Sequence, residues 1–153
     1  MTEAATAQEI TISRVLEAPR ELVWKAWTEP DHLVRWWGTG ARGWTLPPSA
    51  VTMEVTPGGT FRVTLTNDED GTEMTTEGVY REVVEPERLV IDEPAEGAWH
   101  EGAVTELTLS DLGDGRTEMV VKTTIQTTDE MRRNAETGMA GSVDRLAEIL
   151  ESR

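Results

Sequence analysis

The sequence predicts an α+β domain: a curved antiparallel sheet covered by one long C-terminal helix, with two short helices after the first strand. Three observations carry this. From Val51 to Thr127, apolar residues recur at every second position in short runs separated by Gly, Pro, Asn and Asp. From Thr128 to about Glu151 they fall three or four apart instead. Between the first strand and that sheet, Pro19 and Pro30 each precede a short helical pattern, where a missing N–H does no harm.

In chain order, Gln8 to Leu16 reads as a strand in which Ile10, Ile12 and Leu16 share a side and Arg14 is the polar break. Arg20 to Trp27 is helical, with Val23, Trp24 and Trp27 on one face. His32 to Trp37 is a second, shorter helix with Gly38 as C-cap, and Thr39 to Pro48 is a loop. Strands follow at 51–55, 60–66, 75–84, 88–92, 104–110 and 117–127. Turns at Pro57-Gly58-Gly59, at 67–71, at Glu85-Pro86-Glu87 and at 111–115 separate them, and 93–102 is a longer loop. Thr128 or Asp129 caps the last helix. Its apolar stripe is Met131, Ala135, Gly138/Met139, Ser142/Val143, Leu146 and Ile149/Leu150. Residues 1–7 are expected to be a flexible N-terminus of a single domain spanning 1–153.

Composition narrows the function classes. The chain has 153 residues, 29 Asp+Glu against 14 Lys+Arg, and a formal net charge of -15. That balance opposes binding to nucleic acid phosphates or to an anionic membrane surface. With no Cys, disulfides, thiolate catalysis and cysteine zinc sites are excluded. No run approaches the ~20 apolar residues of a membrane span, and no cationic segment followed by an apolar one opens the chain. The expected location is the cytoplasm, as a monomer or homodimer. Lysine occurs only as Lys25 and Lys122, a skew that fits a GC-rich coding sequence or a salty habitat. Charge and aromatics are uneven: residues 1–45 are near neutral and hold five of the 6 tryptophans, while the rest carries nearly all the negative charge. Most acids are expected on the outer sheet face and turns, as a solubility surface.

A helix laid across a curved sheet encloses space, and with 1 Phe and 1 Tyr the chain has few bulky side chains to fill it. Gly138 and Gly141 lie mid-helix, where each costs about 0.5–1 kcal/mol relative to Ala. They either let the helix press on the sheet or leave room beside it. The expected ligand pocket is lined by Trp36, Trp37, Phe61, Tyr80, Trp99, Met131, Met139 and Val143. Trp36 and Trp37 project about 100° apart on a helix, so one packs inward and the other lies towards the cavity mouth. Trp99 is a candidate flap, and the methionines suit an irregular surface. Arg62, Glu77 and His100 are the candidate polar groups; Arg62 reaches the pocket only if its strand presents the reverse face. No catalytic constellation is visible: His32 and His100 are isolated, no nucleophile elbow exists, and no histidine pair has metal-ligand spacing. No cofactor and no metal are expected.

Four segments carry a resemblance. The stretch from Val15 to Gly38, VLEAPRELVWKAWTEPDHLVRWWG, is similar to the opening of the SRPBCC (START-like) superfamily. The closer match is its branch named after the C-terminal domain of the activator of the Hsp90 ATPase. Pro57-Gly58-Gly59-Thr60-Phe61-Arg62, then the run from Gly78 to Val90, then the run from Ser142 to Leu150 agree in the same order. The resemblance implies the helix-grip fold, with a deep hydrophobic pocket between helix and sheet. Relatives usually carry Gly-Trp where this chain has Gly138-Met139, which implies a larger or more deformable cavity. Such proteins include lipid and polyketide binders, cyclases and dehydratases, metabolite-sequestering resistance proteins and co-chaperone domains. The expected function is binding of a small hydrophobic or aromatic ligand, neutral rather than anionic. The alternatives are a polyketide-type cyclase, dehydratase or hydrolase in the same pocket, or a co-chaperone-like interaction domain presenting Trp36 and Trp37.

Overall fold

A computed structural model describes residues 5–37, 44–93 and 102–151. The chain runs β1 (Thr6–Leu16), α1 (Arg20–Thr28), α2 (Pro30–Leu33), β2 (Trp44–Thr45), a 3-10 turn at Pro48–Ala50 and β3 (Val51–Met53). It continues through β4 (Thr60–Asn67), β5 (Glu73–Val84), β6 (Arg88–Glu93), β7 (Ala103–Gly113), β8 (Arg116–Thr127) and α3 (Asp129–Glu151). All strand pairings are antiparallel, in the order β1-β8-β7-β6-β5-β4, with β2 and β3 sharing the outer edge of β4. The first strand pairs with the last along its whole length, from Thr6 opposite Thr127 to Leu16 opposite Thr117. This is the helix-grip arrangement.

Several boundaries differ from the sequence reading, each for a local reason. Thr6 and Ala7, expected to be flexible, pair with Thr127 and Gln126. β3 stops at Met53 because the next residues turn back on themselves. The Glu54 N–H donates to the Thr60 carbonyl (2.9 Å), and Gly58 and Gly59 exchange backbone hydrogen bonds with Tyr80. The second helix begins at Pro30 and ends at Leu33. Its backbone loosens there, and the Trp36 N–H reaches only three residues back, to Leu33 (3.2 Å). Trp44 and Thr45, expected in a loop, pair with Asn67 and Thr66. Gly38 lies outside the described residues. At the last helix the Thr128 hydroxyl accepts the Met131 N–H (3.2 Å), so Thr128 is the cap.

The core follows from the alternation. Ile10, Leu16, Phe61, Val63, Leu65, Tyr80, Leu89, Ile91, Leu107, Leu109, Met119 and Val121 point inward and are buried; Arg62 and Glu77 point outward. α1 closes one end of the sheet with Val23, Trp24, Ala26 and Trp27. Their indoles are satisfied: Trp24 Nε1 donates to Glu85 Oε1 (3.0 Å) and Trp27 Nε1 approaches Met119 Sδ (3.4 Å). The fully buried Thr117 donates to the Ala18 carbonyl (2.7 Å), joining the start of β8 to the β1–α1 connection. Arg14, the inward polar break of β1, pairs with Asp144 of α3.

Two core positions generate expectations of opposite sign. The Tyr80 hydroxyl is buried with no hydrogen-bond partner among the described residues, and burial pushes the phenol above its usual range. An unfolded tyrosine ionises near about pH 10, so above that pH the unfolded chain has released a proton that the native chain keeps. Stability therefore falls as pH rises past that point. Tyr80 is the single tyrosine, so near-ultraviolet phenolate absorbance reports on it alone. That absorbance should stay flat through about pH 11 and rise only with alkaline unfolding. A rise near pH 10 in a folded protein contradicts the assignment. Tyr80→Phe should stabilise by about 1 kcal/mol, read by urea denaturation. At Gly59 a Cβ would lie 2.0 Å from the Glu54 carbonyl oxygen. Gly59→Ala should therefore cost at least about 2 kcal/mol, read as a fall in Tm of roughly 5 °C or more.

Candidate functional site

α3 is seated on one half only. All its buried residues, Val143, Leu146, Ala147 and Leu150, lie in the C-terminal half. Its ends are tied down: Gln8 Nε2 donates to Asp129 Oδ1 (2.9 Å), and Glu151 Oε2 accepts the Glu17 N–H (3.3 Å). Midway, Arg145 Nε donates to the Arg35 carbonyl (2.7 Å). Ala135 and Met139 pack over Ile10 and Ile125 at the β1–β8 edge. Beside this half-supported stretch lies a cavity of about 560 Å³, open to solvent.

Three surfaces line it. Leu65, Met74, Val121 and Ile125 supply an apolar floor from β4, β5 and β8. Trp27, Trp36 and Trp37 form one wall. Their rings meet edge to face, with centroids 4.8 Å apart for Trp27–Trp36, 6.1 Å for Trp27–Trp37 and 5.7 Å for Trp36–Trp37. Such contacts add about 0.5–1.5 kcal/mol each beyond burial. Trp36 is fixed further by Nε1 donating to the Ala26 carbonyl (3.0 Å). Gly138, Met139, Gly141 and Val143 supply the α3 side. At Gly138 and Gly141 an added Cβ would meet nothing within 4 Å among the described residues. Of the two roles open to these glycines, leaving room is the one the structure shows.

Polar groups enter at defined places. Thr76, Thr105 and Thr123 present hydroxyls from the sheet, and Thr105 and Thr123 hydrogen-bond each other (3.2 Å). Asn134, Thr137 and Ser142 lie along α3. Among the described residues of the lining, Glu93, at the end of β6, is the charged one. Among the described residues no group of His, Asp and Glu could hold a metal ion, and no helix is long and apolar enough to cross a membrane.

The sequence-selected residues therefore divide. Trp36, Trp37, Met139 and Val143 line the cavity. Trp36 is buried and Trp37 half-buried, so the pair does not form an exposed patch. Phe61 and Tyr80 stand behind the tryptophan wall as an extension of it, with centroids 5.9 Å apart for Trp37–Phe61 and 6.2 Å for Phe61–Tyr80. Both are buried in the core rather than in the lining. Met131 is half-buried at the start of α3 and is not in the lining. Arg62 and Glu77 are corrected: because Phe61 and Val63 face the core, the pleat sends Arg62 to the outer face, where it pairs with Glu77 (3.1 Å). Trp99 and His100 lie outside the described residues. His32 is half-buried on α2, 3.6 Å from Glu29. Among the residues that sequence reasoning missed, Glu93 had a usable signal. It follows the buried Leu89 and Ile91 at the same two-residue interval, which continues β6 one residue beyond the apparent strand end.

No curated protein matches the chain. Solved structures do. Protein CV1439 from Chromobacterium violaceum is 26% identical, covers 94% of this chain and 96% of its own, and superposes with a TM-score of 0.78. An AHSA1-like protein from Aeromonas hydrophila is 20% identical over 95% of this chain and 93% of its own, with a TM-score of 0.72. CalU16 from Micromonospora echinospora is 22% identical over 97% and 83%, with a TM-score of 0.69. The last two likenesses show the fold alone. The family model described as activator of Hsp90 ATPase homolog 1-like protein matches residues 17–151, nearly the whole chain. The chain belongs to this family, within the SRPBCC superfamily.

Proposed function

We propose that this protein binds a small hydrophobic or aromatic molecule in the cavity between α3 and the sheet. The family commonly binds hydrophobic ligands, and the volume falls within the range of small-molecule sites. One observation carries the reading. Two glycines stand mid-helix against open space, each at a cost of up to about 1 kcal/mol in helix stability. Alanine at either position would be accommodated sterically and would favour the helix. A helix retained in this less stable form, beside an apolar hollow and a tryptophan wall, fits a site kept open for a guest. The ligand is a neutral or cationic molecule rather than an anion, because the net charge of -15 repels anions.

The neutral dye N-phenyl-1-naphthylamine tests this directly. It should bind with a Kd in the micromolar range, roughly -7 to -8 kcal/mol. Its emission should shift to the blue, and it should quench Trp27, Trp36 and Trp37. No change in either signal sinks the proposal. Substitutions on α3 separate cavity from stability. Gly138→Leu fills open space and adds helix propensity, so Tm should rise by about 2–4 °C while dye affinity falls about tenfold or more. Met139→Trp should likewise weaken the dye without lowering Tm. Unchanged affinity in both variants would place the dye elsewhere.

A further inference from the structure

The sheet floor of the cavity carries a pair of hydroxyls set among apolar side chains. We propose that this pair seats an uncharged acceptor oxygen, a carbonyl or a hydroxyl, on an otherwise apolar guest. This rests on the binding function proposed above and adds the ligand class and the residues that read it. The pair is Thr105 and Thr123, which stand directly opposite each other on β7 and β8. Along its strand Thr105 lies between the inward Ala103 and Leu107, and Thr123 between Val121 and Ile125. Across the sheet the same row continues to Ile91 on β6 and to Ile10 on β1. All six neighbours are buried, while both threonines line the cavity. Thr123 is only 6% exposed and Thr105 is half-buried, so the pair faces the hollow from its floor rather than from its rim.

The hydrogen-bond arithmetic sets the class of guest. A hydroxyl carries one hydrogen and can also accept. The two oxygens lie 3.2 Å apart, so one hydroxyl donates to the other. The second O–H then has no acceptor among the described residues. In the open cavity solvent can meet that donor. A guest that fills the cavity displaces the solvent, and the donor is then either matched by the guest or left unpaired in apolar surroundings, which weakens binding. A neutral oxygen matches it. An ammonium group offers only donors and leaves it unmatched, and the net charge of -15 holds carboxylates off. Asn134 and Thr137 on α3 are placed differently: both are exposed, and the Thr137 hydroxyl already donates to the Arg133 carbonyl (3.0 Å). The sheet also contains its own control. Thr64 and Thr75 form the same kind of hydroxyl pair (3.0 Å) between β4 and β5, on the outer face, because Val63 and Leu65 point inward.

The test uses 2-acetylnaphthalene and 2-isopropenylnaphthalene, which share a shape and differ by an oxygen in place of a methylene. Each displaces N-phenyl-1-naphthylamine from the full chain, and the ratio of the two Kd values is the readout. Thr105→Val with Thr123→Val keeps the side-chain shape and removes both hydroxyls. It should weaken the ketone about fivefold relative to the hydrocarbon, with the hydrocarbon bound at least as tightly as before and Tm not lowered. Thr105→Ser with Thr123→Ser keeps the hydroxyls and should keep the ketone preference. Thr64→Val with Thr75→Val removes the outer pair and should leave the ratio unchanged. The unaltered protein gives an independent reading: the carbonyl stretch of the bound ketone should lie below its frequency in hexane. A bound carbonyl that absorbs at its hexane frequency overturns the proposal, whether or not the double valine substitution folds. A Kd ratio that the valine substitutions leave unchanged overturns it too, as does 2-naphthoate binding more tightly than the ketone; each of these leaves cavity binding intact. If the dye and every naphthalene fail to bind, the binding function itself falls, and this proposal with it.

Discussion

β8 ends at Thr127 and α3 begins at Asp129, so a single residue turns the chain from the sheet onto its own inner face. The helix must start at the β1–β8 edge and run back across the sheet. Pairing of β1 with β8 over eleven residues makes that edge rigid, and the Thr128 cap fixes the helix start. At the far end, Leu146, Ala147 and Leu150 sink into the core against α1 and the sheet. The first half of the helix is thereby held in place by its two ends and by Ala135 and Met139 at one edge. It need not be buried to be ordered. The hollow beside it is a product of this suspension.

The outer face of the sheet obeys a different logic. Arg62–Glu77, Arg81–Asp92, Lys122–Glu9 and the Arg88 fork between Glu82 (3.1 Å) and Glu106 (2.9 Å) run across neighbouring strands. Exposed pairs of this kind contribute about 0–1 kcal/mol each. Opposite charges directly across neighbouring strands favour the observed pairing and keep the outer face of the sheet hydrated. The excess of acids over bases resides mainly here and in the turns, so the charge that dominates the composition lies mostly away from the cavity.

Most of the fold was legible in the sequence because period-two and period-3.6 patterns report directly on which side of an element is covered. The errors fell where one residue changes the answer. Glu93, the last residue of β6, was read as the start of a loop because the apolar run ends at Ile91 and two acids follow it. Trp44 and Thr45 form a two-residue strand too short for any periodicity to register. The site was less legible than the fold. Trp36, Trp37, Met139 and Val143 were found as bulky or soft residues close to the helix–sheet gap. Phe61 and Tyr80 were placed one layer too far forward, since alternation tells inward from outward but not core from cavity. Thr76, Thr105 and Thr123 carried no signal, because threonine on a strand is ordinary on either face.

The glycines of α3 have a consequence for how such a protein diverges. Positions 138, 139 and 141 occupy a single turn of one helix, while β1, β8, α1 and the Trp27–Trp36 contact that hold the framework are elsewhere in the chain. The size of the cavity can thus be reset by changes within one helical turn, and at the two glycines any added side chain meets open space. The residues that build the framework and those that set the cavity volume are thus different residues, and either set can change without the other.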